Sequence, residues 1–293
     1  MKSDIKEITE ELNNKLENFQ TDEKKLLEYL EFQSRFYQGR SFRNNLLIYM
    51  YKPSAKHVAT YKQWKDKYNR IVVACIECRE FANAKCTCEE ITKPVRIAQL
   101  RPIIVENKED EEDKKIFYRD YTVYDISDTE PLNDEGLEVH HPDEPILLSG
   151  NSGQEILMLA SIFIEKEGWE YNFRAIPNGA NGFTNKETKE IRISNNMDTL
   201  QQAKTTIHEL AHYHLHLEDD FNYLQCRDLA EVQAESVAYT VLKFLGLNSS
   251  DYSVKYIIGW ANNDLELFKS SLKDIVETSQ KIINDLELTQ GEI

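Results

Sequence analysis

A stretch of twelve residues, TTIHELAHYHLH at positions 205–216, places the strictest demand on how this chain folds. On an α-helix, His208 and His212 are four residues apart, so they project from one face about one turn apart. Two imidazoles placed in this way can bind one metal ion, and Glu209 can reach a metal-bound water without being a ligand itself. Zinc lowers the pKa of its bound water to about 7, so a carboxylate can take the proton as the water attacks a carbonyl. The motif therefore predicts a helix that carries a catalytic zinc, with Glu209 as the general base.

The surroundings of this motif distinguish it from the same five-residue pattern occurring by chance on an exposed helix. Apolar residues recur along the segment at Ala203, Ile207 and Leu210, which indicates a helix packed on a core. A strand-like stretch, EIRIS at 190–194, directly precedes this helix. An edge strand beside a zinc helix can pair with an extended peptide, and EIRIS is the candidate for that strand.

The third zinc ligand has to come from outside the five-residue motif. His214 lies two residues after His212 and points about 200° away from it on a helix. His216 lies eight residues from His208, which separates the two by about 12 Å along the axis. We therefore predict that His214 and His216 are not metal ligands, and that each is either partly exposed or lies behind a ligand.

The segment AEVQAES offers better candidates for the third ligand. Glu231 follows His212 by nineteen positions, which leaves room for a turn and an antiparallel helix that returns to the metal. Glu235 lies one turn further on the same face, where it can hold a ligand histidine by its second ring nitrogen or replace Glu231 as ligand. The alternative is that both are solvated glutamates on an exposed helix. Tyr239 and His214 are candidates to stabilise an oxyanion.

Positive charge is concentrated in one part of an acidic chain. The net charge is −16, but residues 33–70 hold nine basic residues and one acidic residue, or +8, so the other residues carry −24. Eight aromatic residues are interleaved with the nine basic ones. Bases stack on aromatic side chains for about 1–3 kcal/mol each while lysine and arginine follow the phosphates, so the segment favours single-stranded DNA as a partner. The alternative is that most of these aromatics form a small core. The candidate DNA contacts are Arg40, Arg43, Asn44, Lys62 and Lys65.

Four of the five cysteines lie close together, at Cys75, Cys78, Cys86 and Cys88. Two close pairs joined by a short loop can supply four thiolates to a second, structural zinc, and the alternative is four unrelated thiols.

An odd number of cysteines and a polar N-terminus unlike a signal peptide predict a cytoplasmic protein. The sequence has no apolar run long enough to span a bilayer, so no membrane partner is expected.

The pattern of the whole chain predicts an α+β protein with two domains. Helical periodicity marks the first fifty residues, and short strands follow up to residue 126, with the acidic run Glu106–Asp113 as a solvated hairpin loop. The second half contains strand-like pieces before the zinc motif and helices around and after it. We predict an N-terminal domain of helices and antiparallel strands (1–130), an acidic linker (131–148) and a helix-rich, zincin-like metallopeptidase domain (149–293).

Two sets of motifs resemble known families. HELAH followed by EVQAESVAY resembles the ImmA/IrrE-type metallopeptidases. The whole chain resembles the ArdC-type antirestriction proteins of plasmids, phages and conjugative elements. That resemblance rests on SFRNNLLIYMYKPSAKHVATYKQWKDKYNR, TVYDISDTEPL and YSVKYIIGWANNDLELFKSSLKDIVETSQKIINDL.

The resemblance implies an N-terminal domain that binds single-stranded DNA, followed by a zinc metallopeptidase domain. It implies metal binding by His208, His212 and Glu231, and catalysis by Glu209. The chain departs from the family after Arg70, where IVVACIECREFANAKCTCEE replaces a basic, glycine-containing stretch, so a DNA contact made by that stretch is not expected here.

These observations lead to one main hypothesis and two alternatives. The main hypothesis is a mobile-element protein that binds single-stranded DNA and cleaves a protein substrate met there. One alternative is an ImmA-like peptidase that cleaves a specific repressor and whose N-terminal domain recognises protein. The other is a non-proteolytic protein that coats single strands and whose zinc is structural.

Overall fold

The computed structural model describes residues 5–34, 36, 40–79, 88, 91–107, 110–132, 152–217, 227–247 and 265–292. It combines helices with small sheets and is richest in helix in its C-terminal part, which confirms the α+β class. The chain forms two compact units. Unit 1 comprises Met1–Lys15 and Gly39–Asp143, and unit 2 comprises Leu16–Gln38 and Glu144–Ile293. Residues 16–38 thus group with the second unit, whereas the sequence placed them in the N-terminal domain. Most of the expected linker, residues 133–148, lies outside the described residues.

Unit 1 combines two antiparallel sheets with two helices besides the start of α1 (Ile5–Thr21). The larger sheet has the order β1-β4-β3, and the smaller one pairs β2 with β5. The elements are α3 (Phe42–Tyr51), β1 (Val58–Ala59), α4 (Tyr61–Asp66), β2 (Arg70–Val72), β3 (Ile97–Asn107), β4 (Asp110–Asp125) and β5 (Thr129–Pro131).

The β3/β4 hairpin extends further than the sequence pattern predicts. The acidic run Glu106–Asp113 was expected to be a loop, but β3 continues to Asn107 and β4 begins at Asp110. Backbone hydrogen bonds between antiparallel strands do not need apolar side chains, so the pairing continues past the apolar pattern. The expectation of a loop across the whole run is therefore wrong for its described residues.

The small core of unit 1 forms around Trp64, which is fully buried with Ala59 and Val72. The Trp64 indole N–H donates to the Tyr124 carbonyl at 2.9 Å, so α4 is fixed to β4. A capping box between Thr60 and Gln63 begins α4. This short helix is therefore held at its start and through its one buried side chain.

Unit 2 is a set of helices packed beside a three-stranded sheet. The sheet has the order β6-β8-β7, with β6 parallel and β7 antiparallel to the central β8. Helix α6 packs against α5, α7 and β7, and α8 packs against α5 and α7. The elements are α2 (Glu23–Gln33), α5 (Ser152–Lys166), β6 (Glu170–Phe173), β7 (Gly182–Asn185), β8 (Glu190–Ile193), α6 (Thr199–Leu215), α7 (Arg227–Phe244) and α8 (Leu265–Gly291).

The sheet of unit 2 corrects one sequence expectation. The EIRIS stretch forms β8, the central strand, and is therefore not the edge strand beside the zinc helix. The edge position next to α6 belongs to β7, which the sequence did not predict. Its four residues, GFTN, include a glycine and only one large apolar side chain, so they carry little strand pattern.

Helix α6 forms as its sequence predicts. The Asp198 carboxylate accepts the Gln201 N–H at 2.9 Å and caps the N-terminus. Ala203, Ile207 and Leu210 are at most 1% exposed, so the apolar stripe faces the core. In the described parts of the chain, the structure has no helix long and apolar enough to cross a bilayer.

Candidate metal centre

Two histidines of α6 face each other across one helical turn. The Nε2 atoms of His208 and His212 are 3.1 Å apart. His212 is buried, and His208 is partly buried. The i, i+4 spacing on one helix face therefore directs both imidazole nitrogens to the same point, as the sequence predicts.

Helix α7 brings a carboxylate to the same point. Glu231 Oε2 lies 3.4 Å from His208 Nε2 and 3.8 Å from His212 Nε2. The three donor atoms lie within 4.8 Å of one another, a grouping that could hold a metal ion. The structure thus brings together the two histidines and the glutamate that the sequence nominated.

Glu235 lies behind this group. Its Oε1 atom is 3.8 Å from His208 Nδ1, the ring nitrogen that faces away from His212 and Glu231. Burial raises the pKa of Glu235, although the charge of His208 works in the opposite direction. Glu235 thus lies near the second ring nitrogen of His208, and Glu231 lies near the Nε2 atoms of both histidines.

His216 lies behind His212. The Nδ1 atoms of His212 and His216 are 2.9 Å apart, and His216 Nε2 lies 3.0 Å from Gln233 Oε1 on α7. Burial lowers the pKa of His216 to about 4. A neutral His216 can therefore fix the ring orientation of His212 from behind.

The two oxyanion candidates lie elsewhere in unit 2. His214 Nε2 is 3.4 Å from Asp285 Oδ2 of α8, and its ring lies 6.0 Å from that of Phe163 on α5. Tyr239 is 7% exposed on α7, with the Lys243 ammonium 5.9 Å from its ring. These contacts give His214 and Tyr239 packing partners away from the histidine pair.

Glu209 is buried beside the histidines, and strand β7 holds it there. Its Oε2 atom accepts a hydrogen bond from the Thr184 hydroxyl at 2.8 Å. A Cβ added to Gly182 would lie 2.7 Å from Glu209 Oε1 and 2.8 Å from Thr205 Cγ2. Burial raises the pKa of Glu209, although the charges of the two motif histidines work in the opposite direction. The sequence did not predict that Gly182 and Thr184 would lie beside Glu209, because it did not predict strand β7.

The donor set suits a divalent metal ion. Burial alone lowers the pKa of His208, but the hydrogen bond with Glu231 and the charge of Glu209 outweigh it, so this pKa is raised. Two imidazoles and a carboxylate that face one another are a ligand set typical of zinc and related divalent metals.

The candidate DNA contacts of unit 1 divide into two kinds. Arg40 and Asn44 have partners inside the unit: the Arg40 guanidinium donates to Gln99 Oε1 at 3.2 Å and to the Val58 carbonyl. The Asn44 side chain donates to the Leu100 carbonyl at 3.0 Å and accepts the Leu100 N–H at 2.8 Å. Asn44 thus fixes α3 to β3, and Arg40, which precedes α3, fixes its segment to β3 and β1. The sequence did not predict these structural roles.

Of the other three candidates, two are exposed lysines and the third, Arg43, is half-buried. Lys62 and Lys65 are exposed on α4, next to Tyr61, which is 47% exposed. The Arg43 guanidinium lies 4.9 Å from the ring of Tyr118, which is 40% exposed. Basic groups thus accompany two exposed aromatic rings. Of the seven interleaved aromatics among the described residues, four are buried, namely Phe36, Phe42, Tyr49 and Trp64.

Part of the positive charge of residues 33–70 is neutralised or bonded within unit 1. The Lys52 ammonium lies 2.6 Å from Asp128 Oδ1 and 3.7 Å from Asp125 Oδ2. The Arg70 guanidinium donates to the Thr129 hydroxyl at 2.7 Å. The surface that faces solvent is therefore less basic than the count of +8 indicates.

Three of the four clustered cysteines come together. The sulfurs of Cys75, Cys78 and Cys88 lie within 4.8 Å of one another. Cys86 lies outside the described residues.

A family model matches the part of the chain around the histidine pair. Residues 170–242 match a family model described as the IrrE N-terminal-like domain. The match covers the sheet of unit 2, helix α6 and nearly all of α7. It confirms the resemblance to IrrE-type proteins that the motif sequences carry.

Longer similarities extend over most of the chain. An uncharacterized protein of Bacillus anthracis is 24% identical over 327 aligned positions, which cover 100% of this chain and 53% of that protein. The chain therefore spans about half the length of this curated relative. The metal-free crystal structure of the antirestriction protein ArdC from plasmid R388 has a TM-score of 0.48 at 14% identity and covers 87% of this chain and 86% of that one. The Mn(II)-bound structure of the same protein has a TM-score of 0.44 at 13% identity, over 89% and 97% of the two chains.

Proposed function

We propose that this chain is a zinc-dependent peptidase in which His208, His212 and Glu231 hold the metal and Glu209 is the general base. The observation that carries the proposal is that three donor atoms from α6 and α7 lie within 4.8 Å of one another. The buried carboxylate of Glu209 lies next to them, on the helix that carries both histidines. When bound, zinc would polarise the scissile carbonyl and lower the pKa of the attacking water. The match to the IrrE N-terminal-like domain agrees with this chemistry.

The environment of Glu209 suits a group that takes and returns a proton. Burial raises the pKa of Glu209 above that of a free carboxyl group, which makes its carboxylate a stronger base. The Thr184 hydroxyl donates to Oε2 and orients the carboxylate, and Oε1 faces Gly182 of the same strand. Glu209 is therefore a buried carboxylate whose orientation β7 fixes.

Strand β7 suits the binding of an extended peptide. It is at the edge of its sheet and pairs on one side with β8. A substrate strand added to the other side would gain backbone hydrogen bonds from β7. Because Gly182 and Thr184 of this strand both contact Glu209, the scissile bond would lie close to the base.

We further propose that unit 1 binds single-stranded DNA and that the whole protein serves an antirestriction role of a mobile element. The support is the presence of exposed basic residues on α4 and of Arg43 beside the exposed ring of Tyr118. Aromatic stacking with nearby positive charge is the usual composition of a surface that binds single strands. The proposed substrate of the peptidase is then a protein that it encounters on DNA.

A peptide library incubated with the protein tests the peptidase proposal. The library is analysed by mass spectrometry for new termini, with the Glu209→Gln variant in parallel. We expect new termini with the wild type and none with Glu209→Gln. If the wild type and the variant give the same termini, or if the wild type gives none in the presence of zinc, the peptidase proposal fails and the non-proteolytic alternative is favoured.

A further inference from the structure

The cysteines of unit 1 form a second cluster of metal donors, separate in sequence from the histidine pair. Cys75 is fully buried, and Cys78 and Cys88 are partly buried. The sulfurs of these three residues lie within 4.8 Å of one another. We propose that Cys75, Cys78 and Cys88 bind a structural zinc ion that stabilises the β2/β5 pair of unit 1.

The sulfur spacing fits tetrahedral zinc and does not fit a disulfide. Cys75 Sγ and Cys88 Sγ are 3.9 Å apart. A tetrahedral zinc with Zn–S bonds of about 2.3 Å holds its sulfurs about 3.8 Å apart, whereas a disulfide bond is about 2.05 Å long. The Cys75–Cys88 pair therefore already has the spacing that the ion needs, and these two sulfurs would have to move closer to form a disulfide bond.

The backbone around the cluster is shaped by its own contacts. The Ile76 N–H donates to the Thr92 carbonyl at 2.8 Å, which brings the segment after Cys88 against the segment between Cys75 and Cys78. Arg79 has a φ of 58°, in the left-handed region, so the chain turns directly after Cys78. These features keep the first cysteine pair close to Cys88.

The loop that carries the cluster is also bonded to the strand pair. The Val73 N–H donates to the Asp128 carbonyl at 3.0 Å and continues the β2/β5 pairing towards Cys75. The Arg79 guanidinium donates to the carbonyls of Ser127 and Thr129, at 2.6 Å and 2.8 Å, and pairs with Glu130. Two strands of three residues each are marginal on their own. A zinc ion at the end of β2 would supply the missing stability, because binding to thiolates favours the folded state.

Zinc content of the full-length protein tests this proposal. The Cys75→Ser/Cys78→Ser double variant is compared with wild type, with Cys226→Ser as the control that removes a thiol outside the cluster. After purification with added zinc and desalting, we expect the double variant to lose one zinc per chain and Cys226→Ser to lose none. An unchanged zinc content in a folded double variant would overturn the proposal.

A second measurement covers the case in which the double variant does not fold. Cobalt(II) is exchanged into the His208→Ala/His212→Ala protein, which keeps all the cysteines. We expect thiolate-to-cobalt charge-transfer absorption, and its absence would overturn the proposal. So would a thiol titration of the native protein that shows Cys75 and Cys88 joined by a disulfide. The two proposed metal sites are tested independently. If only the histidine variant loses zinc, the cysteine site is excluded. If only the cysteine variant loses zinc, the metal site of the proposed peptidase is excluded.

Discussion

Gly182 lies so close to Glu209 that a Cβ atom at position 182 would not fit. The distance of 2.7 Å from a built Cβ to Glu209 Oε1 is shorter than real Cβ contacts. A second contact, at 2.8 Å, is with Thr205 Cγ2 of the same helix. The glycine therefore allows β7 to approach α6 closely enough for Thr184 to hydrogen-bond the base.

The Gly182→Ala substitution tests this close approach. We expect a loss of about 1–3 kcal/mol in the free energy of unfolding, because overpacking forces neighbouring side chains to shift. Peptide hydrolysis should fall further than this destabilisation explains, since the displaced group is the base itself. Urea unfolding and the hydrolysis rate are measured together, with Gly291→Ala as control because a Cβ there meets no atom within 4 Å. Unchanged stability and rate in Gly182→Ala would contradict the described contact.

The Glu209→Gln substitution separates metal binding from proton transfer. Glutamine keeps an oxygen that can accept the Thr184 hydrogen bond but cannot take a proton from water. We expect the hydrolysis rate to fall by at least about 10²–10⁴-fold while the zinc content is unchanged. The control is Glu187→Gln, at an exposed position in the turn between β7 and β8. Loss of zinc from Glu209→Gln would mean that Glu209 is a ligand and not a base.

Among the elements, α4 is the one on which the DNA proposal can be tested most cleanly. Trp64 and the capping box hold the helix, and neither involves Lys62 or Lys65. Neutralising these two lysines should therefore change the surface charge without changing the fold.

The Lys62→Gln/Lys65→Gln variant should bind single-stranded DNA more weakly. Each phosphate contact contributes about 0.7 to the slope of log affinity against log salt, so losing two contacts makes the slope shallower by about 1.4. Fluorescence anisotropy of a labelled single strand at several salt concentrations measures this slope. The control variant, Lys273→Gln/Lys281→Gln, removes two exposed lysines of α8 in unit 2. Equal slopes for the wild type and the α4 variant would exclude α4 from the DNA surface.

The elements also show what the sequence can and cannot predict. Helices α6 and α7 were predicted because the spacing of residues along a helix is visible in the sequence. The same spacing places His208 and His212 on one face of α6, and Glu231 lies on α7. Strand β7 was missed because its position is set by pairing with β8, not by an apolar pattern of its own. Arg40 and Asn44 looked like surface groups because their partners, Gln99 and Leu100, lie more than fifty residues away in sequence.

At the scale of the whole molecule, the two proposed metal sites belong to different units. The histidine group belongs to unit 2, and the cysteine group belongs to unit 1. A ligand that binds only the folded state stabilises it by about 2.7 kcal/mol at a hundredfold excess over its Kd. Each site should therefore contribute its own part to the stability of the chain.

Metal removal should reveal these two contributions. We expect a strong chelator to lower the thermal unfolding midpoint of the wild type by more than that of His208→Ala/His212→Ala, which has only the cysteine site to lose. Differential scanning calorimetry with and without chelator measures both shifts. Equal shifts for the two proteins would contradict a metal bound by the histidines.

The most direct test of the central claim is anomalous diffraction at the zinc absorption edge from crystals grown with zinc. We expect an anomalous peak within bonding distance of His208 Nε2, His212 Nε2 and a Glu231 oxygen, with Glu209 next to the peak but not bound to it. A zinc peak bound by Glu235 in place of Glu231, or no peak between the histidines, would contradict it.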